Sequence, residues 1–269
     1  MTTIIGERLK ALDSITLQRG AHDSNGDKQF CAMEAAAWIA GEPHSDHPQC
    51  VSPVLGAFVR ALNDALDDEQ RQALKPCIPR MIGTAGDGHD EERAWMAVDW
   101  LVRVCTPAWL DLAGLKDSAE ALRSLPPITE ATVNEGERTV EAARERAAAA
   151  GDAAGTAARA TAWTAAWDAA GDATWTAAWT AAWVAAGDAA RVATLARDAI
   201  RVATRVAARD AARAAVWAAA WVAALEAEKQ GGGSGAIKER FAPVKAELHR
   251  SAHELLERMI DGPFGEENA

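Results

Sequence analysis

A four-residue repeat runs through the middle of the chain and limits what it can fold into. Read from Gly151, the repeating position holds Gly151, Gly155, Arg159, Trp163, Trp167, Gly171, Trp175, Trp179, Trp183, Gly187, Arg191 and Leu195. The phase slips by two residues there and resumes as Arg201, Arg205, Arg209, Arg213, Trp217, Trp221, Leu225 and Lys229. The triplets between are mostly Ala, which fills 41 of the 90 positions from Glu141 to Gln230. Such a segment is strongly helix-forming. Four residues turn an α-helix by about 400°, so each repeat step drifts ~40° and the stripe from Trp163 to Trp183 drifts by roughly 200°. Trp therefore occupies no single narrow face, and a helix apolar on most sides is a buried one. The pattern predicts a tight bundle in which Ala and Gly let backbones approach and Trp fills the gaps, or a surface that pairs with another subunit. One helix over 136–229 would be on the order of 140 Å long. Two or three helices are expected instead, with breaks near Gly151–Gly155 and at a later Gly-Asp pair.

Residues 1–135 read as shorter helices. Apolar residues at helical spacing mark Ile5–Leu17, Phe30–Ile39, Val54–Leu66 opened by Pro53, Glu69–Leu74, Glu91–Leu110 with a kink or break at Pro107, and Asp117–Leu125. No two-residue alternation of β-branched residues suggests a sheet. Gly231-Gly-Gly-Ser-Gly235 is a flexible linker by composition, of natural or engineered origin. It permits a last helix, 236–260, to fold back on the bundle, and 261–269 reads as a frayed tail. The expected fold is all-α: an acidic N-terminal helical domain (1–135) packed on Ala/Trp-rich helices (136–230) and closed by the last segment.

Charge separates the same regions. Residues 1–135 carry 12 basic and 21 acidic side chains, against 11 of each in 136–230. The acidic part repels nucleic acid, so that partner is not expected. The longest uncharged stretch of the repeat, Ala173–Gly187, is short of the ~20 residues of a membrane span. The first residues lack a signal-peptide pattern, and four scattered Cys do not make a disulfide framework. These features point to a cytoplasmic protein with reduced thiols and no membrane contact.

The densest group of reactive side chains is the Pro-bounded stretch holding His44, Asp46, His47 and Cys50. Imidazole and thiolate suit zinc, with Cys31, Cys77 or Cys105 as a candidate fourth ligand. His249 and His253 lie one turn apart on the last helix beside Glu254, without a His-Glu-x-x-His pattern. Gly83–Gly88 lacks the Lys-Ser or Lys-Thr of a phosphate loop, and no serine nucleophile sits in a Gly-x-Ser-x-Gly context. No enzyme class is indicated.

Three stretches, Cys31–Glu42, His44–Pro53 and Arg93–Arg103, resemble a group of uncharacterised proteins of actinobacteria and their phages that tend to end in Ala-rich repeats. The resemblance covers roughly the first 115 residues and implies no activity. The main functional expectation is a non-enzymatic interaction or assembly protein that holds no cofactor. It would bind a protein partner or self-associate through Trp163, Trp167, Trp175, Trp179, Trp183 and the ladder Arg201, Arg205, Arg209, Arg213. The alternatives are a zinc-binding protein or zinc enzyme using His44, His47 and Cys50, and a bacterial or phage defence-related binder acting through the acidic region.

Overall fold

Side-chain caps from Cys31, Ser52 and Asp67 start three helices of the N-terminal region. In the computed structural model, which describes residues 4–23, 29–157, 198–230 and 234–262, α1 (Gly6–Ala11) runs into a 3-10 turn at Leu12–Ser14. The chain then extends to an isolated parallel bridge between Leu17 and Phe30. The helix expected over Ile5–Leu17 is thus about half that length. The reason is a tertiary contact: the Gln72 side chain accepts from the Leu17 N–H at 2.9 Å and donates to the Leu17 carbonyl at 3.0 Å. Those backbone groups are satisfied without a helix.

α2 (Ala32–Ala40) starts in a capping box between Cys31 and Glu34 and stops at Gly41, whose φ of 76° suits a residue without a Cβ. α3 (Pro53–Ala65) has Ser52 as its N-cap and Pro53 in its first turn. Then come α4 (Asp68–Gln72), a 3-10 turn at Lys75–Cys77, α5 (Ile78–Met81) and α6 (Asp90–Trp100). A π-turn over Leu101–Cys105 joins α6 to α7 (Thr106–Leu112) without a break. Pro107 has no N–H for the Arg103 carbonyl, and its ring crowds that carbonyl. Widening the turn relieves both, while the backbone N–H and the hydroxyl of Thr106 both bond the Leu101 carbonyl, the hydroxyl at 2.8 Å. The kink expected at Pro107 is therefore a π-turn. α8 (Lys116–Arg123) precedes three longer helices, α9 (Val133–Ala157), α10 (Asp198–Lys229) and α11 (Ser234–Asp261). The fold is all-α, with the short helices and the long ones in contact.

α9 and α10 form the most extensive helix pair. They run in the same sense: Arg144 feels the charge of Asp210, and seven residues on Gly151 meets Ala218. A single rod over 136–229 is therefore excluded. The break expected near Gly151–Gly155 does not occur, because α9 continues through both glycines. Gly151 serves instead as a point of backbone contact with α10. A Cβ there would sit 3.6 Å from Cα of Ala218 and 4.0 Å from Cδ1 of Trp221. Gly151→Ala fits that space and gains up to ~1 kcal/mol of helix propensity. Gly151→Leu overpacks it and is expected to cost about 1–3 kcal/mol. Urea denaturation of both variants checks the sign, and equal effects would sink the close-approach role.

α11 docks along the N-terminal helices. Ser234 and Gly235, expected within the linker, belong to its first turn instead. Phe241 packs edge-on against Trp109 with centroids 5.2 Å apart, and Trp100 Nε1 donates to Ser251 Oγ at 2.5 Å. Leu248, Leu255, Leu256 and Met259 are buried. Arg240 pairs with Glu226 of α10 and donates to the Leu112 carbonyl. Two buried arginines close helix C-termini, where the exposed carbonyls favour cations. Arg71 donates to the carbonyls of Asn63 and Leu66 at the end of α3, and Arg93 donates to that of Met259 at the end of α11.

His249 is also buried in the α11 seam. Its Nδ1 lies 3.2 Å from Gln70 Oε1, which makes Nδ1 the donor, and Nε2 has no hydrogen-bond partner among the described residues. Burial pushes its pKa down, Lys245 pushes it further, and Asp67 opposes weakly. The unfolded chain takes up this proton below about pH 6.5 while the folded chain resists it. The contribution of the neutral ring is complete above that pH and is lost as pH falls. His249→Gln should flatten the decline in stability between pH 7 and 5, measured by thermal melts. An unchanged slope would show that another group controls it.

Candidate metal centre

Cys77 sits where the 3-10 turn passes into α5, framed by Pro76 and Pro79, which fix the backbone on either side. It is 0% exposed, against Leu74, Ile78 and Met81 in the same core. His253 and Glu257 stand one turn apart on α11, so they project on the same side of the helix. Docking of α11 brings the three together although Cys77 and Glu257 are 180 positions apart in sequence. Cys77 Sγ lies 3.3 Å from Glu257 Oε1, and His253 Nε2 lies 3.7 Å from the same oxygen. One ligand atom from each residue falls within 4.8 Å of the others.

A cationic neighbour shapes the electrostatics. Arg80 Nη1 holds Glu257 Oε2 at 2.6 Å, and its other terminal nitrogen binds Asp261, the next residue along the same α11 stripe. The Arg80 guanidinium holds the Glu257 carboxyl below the usual carboxylate range, against its partial burial. Burial pushes the Cys77 thiol up to about 12, and the facing Glu257 carboxylate adds to this. The thiol is therefore protonated at neutral pH and donates to Glu257 Oε1. A metal ion would replace that proton. Thiolate, imidazole and carboxylate are the donor types that zinc takes, and their atoms are already gathered. A divalent ion with the thiolate, Glu257, Asp261 and Arg80 sums to zero charge, so the centre needs no distant counterion.

His44, His47 and Cys50 do not meet in this way. Among the described residues the group whose ligand atoms gather within 4.8 Å is Cys77, His253 and Glu257. His44 Nε2 bonds the His22 carbonyl at 2.9 Å and lies 3.4 Å from Glu34. Exposed His47 pairs with Asp46 at 2.7 Å. The Cys50 thiol is pushed up to about 12 by burial and by Glu42. The adjacent cluster of His22, His44 and Cys31 surrounds Glu34, a buried carboxylate at the start of α2. Burial alone would raise the Glu34 carboxyl, but the N–H groups of Cys31 and His22 and the His22 ring hold it down. This arrangement fastens the 18–23 segment to α2. Cys31 and Cys105 are both buried, and burial raises both thiols.

Trp163, Trp167, Trp175, Trp179 and Trp183 lie outside the described residues, as do the side chains of Arg201 and Arg205. Arg209 is half-buried, with Nε 3.8 Å from Asp210. Exposed Arg213 borders a groove of about 340 Å³ between α9 and α10, together with Arg144, Trp217 and Trp221. Among the described residues no helix is long and apolar enough to cross a membrane. Comparison with protein-family models, curated proteins and solved structures gives no match to the chain.

Proposed function

We propose that this is a metal-binding helical protein whose Cys77, His253 and Glu257 hold one zinc ion. The supporting observation is the convergence of a thiol, an imidazole and a carboxylate from α5's entry turn and α11. Ligation would lock α11 onto the N-terminal helices, since the first ligand belongs to one and the other two to the other. Three protein ligands also leave a tetrahedral ion one position for water or another ligand, the arrangement of reactive rather than closed structural zinc sites. Elemental analysis of the purified chain tests the reading. One zinc per chain, lost in Cys77→Ala and in His253→Ala, is the expected result. Zinc retained in both variants, or none in the parent chain after exposure to zinc, would overturn it.

Association through the α9–α10 face is a second reading, favoured by the groove that Arg144, Arg213, Trp217 and Trp221 border. Aromatic and Arg side chains together are the usual anchors of protein interfaces. Sedimentation of the parent chain and of Arg213→Glu would report it: a drop from oligomer to monomer is expected, and an unchanged profile would sink it.

A further inference from the structure

The proposed centre opens on one side into a groove of about 600 Å³ whose walls include His253 and Glu257 but not Cys77. Cys77 is buried and does not border the groove whereas His253 and Glu257 do, so an outside ligand would reach an ion held by the three from the groove side. The groove has an apolar side. Val104, on the π-turn and 39% exposed, forms it, and Trp100 lies beneath, only 1% exposed. π-turns within helices often occur at functional sites. The groove also has a cationic end. Arg250 is already shared between Glu247 at 2.5 Å and Glu254 at 2.5 Å, which leaves that flank net negative. Arg258, exposed on the next turn of α11, has no acidic partner among the described residues.

Resting on the zinc reading above, we propose that this groove binds a small apolar monocarboxylate. Its carboxylate completes the metal's coordination and pairs with Arg258, and its hydrocarbon body lies against Val104. The acidic flank at Glu247 and Glu254 disfavours a dianion, and the metal's own ligand set is already charge-neutral. One negative charge on an apolar body is therefore the best match.

Cobalt(II) reports both steps, because thiolate ligation gives a near-ultraviolet charge-transfer band and a change in coordination moves the visible bands. The full chain is loaded with cobalt and titrated with hexanoate, then with acetate and inorganic phosphate. Hexanoate is expected to move the visible bands saturably and more tightly than acetate, with phosphate weaker still. Arg258→Ala should weaken hexanoate about tenfold, the loss of one charge-assisted contact. Val104→Ser should weaken hexanoate but not acetate. Both variants should keep the charge-transfer band. A cobalt spectrum indifferent to hexanoate, or phosphate binding tightest, overturns the ligand proposal and leaves the metal reading standing. Absence of the charge-transfer band overturns both.

Discussion

Arg93→Met should cost about 3–5 kcal/mol of stability at neutral pH, the usual penalty for removing one partner of a buried ion pair. Arg93 is 1% exposed and sits on α6, yet its contacts reach another region of the chain. Nη1 and Nη2 hold both Asp87 oxygens at 2.8 and 2.6 Å, Asp90 lies 3.5 Å away, and Nε donates to the Met259 carbonyl at 2.9 Å. Methionine keeps much of the volume, so the loss reports the polar contacts and not a cavity. Asp87 keeps some contact with water, which places the cost toward the lower end of the range. Its titration offers a second readout. Burial would raise the Asp87 carboxyl, but the bonds from Arg93 and the His89 N–H outweigh it and hold the carboxyl below its ordinary value. That contribution is complete above the unfolded carboxylate pKa near 4 and fades as pH falls through the lower folded value. In Arg93→Met the acid limb should lose this component. Urea unfolding at pH 7 and pH 3 measures both effects, and a loss under ~1 kcal/mol at pH 7 would show that Arg93 is not an anchor. Because the same arginine closes the C-terminus of α11, the variant should also bind zinc less tightly.

The helices are legible where an apolar stripe coincides with a local stop or start signal. Pro53 opens α3 and Gly41 ends α2 as their residue types require. Sequence reading fails where a distant side chain takes over a backbone group. Nothing near Leu17 in sequence announces that Gln72 will satisfy both its N–H and its carbonyl. It fails again at Pro107, since proline specifies only that one bond is lost and not that the helix will widen to absorb the loss. The Gly positions of the repeat carry two readings, break or close contact. The continuing phase through Gly151 is the correct guide, because a break has no need to preserve it. For the candidate metal centre, Cys77 reads in sequence as a spare ligand and His253 as half of a histidine pair. Their combination is hidden because the partner of His253 is Glu257, one turn in the other direction, while His249 turns inward to Gln70. A His-x-x-x-Glu pair looks like any polar helix face until docking supplies a thiol. The Pro-x-x-Pro frame around Cys77 is the available signal, marking a cysteine held on a rigid turn.

Zinc should raise the stability of the parent chain by about 4 kcal/mol when free zinc is a thousandfold above its dissociation constant, and Cys77→Ser should abolish the gain. The serine variant is informative because a hydroxyl can still donate to Glu257 at the place where Sγ now sits 3.3 Å away. The local packing survives, and only the thiolate is lost. The pH dependence follows from the state of that thiol. With its pKa pushed up to about 12 in the folded chain, binding must expel one proton throughout the neutral range. Apparent affinity should therefore climb about tenfold per pH unit between pH 7 and 9, measured by competition with a chelator of known affinity. Glu257 adds no slope there, since Arg80 keeps its carboxylate ionised far below this range. An affinity flat with pH would mean that the metal does not engage Cys77. A slope preserved in Cys77→Ser would assign the released proton to another group and remove the thiol from the centre.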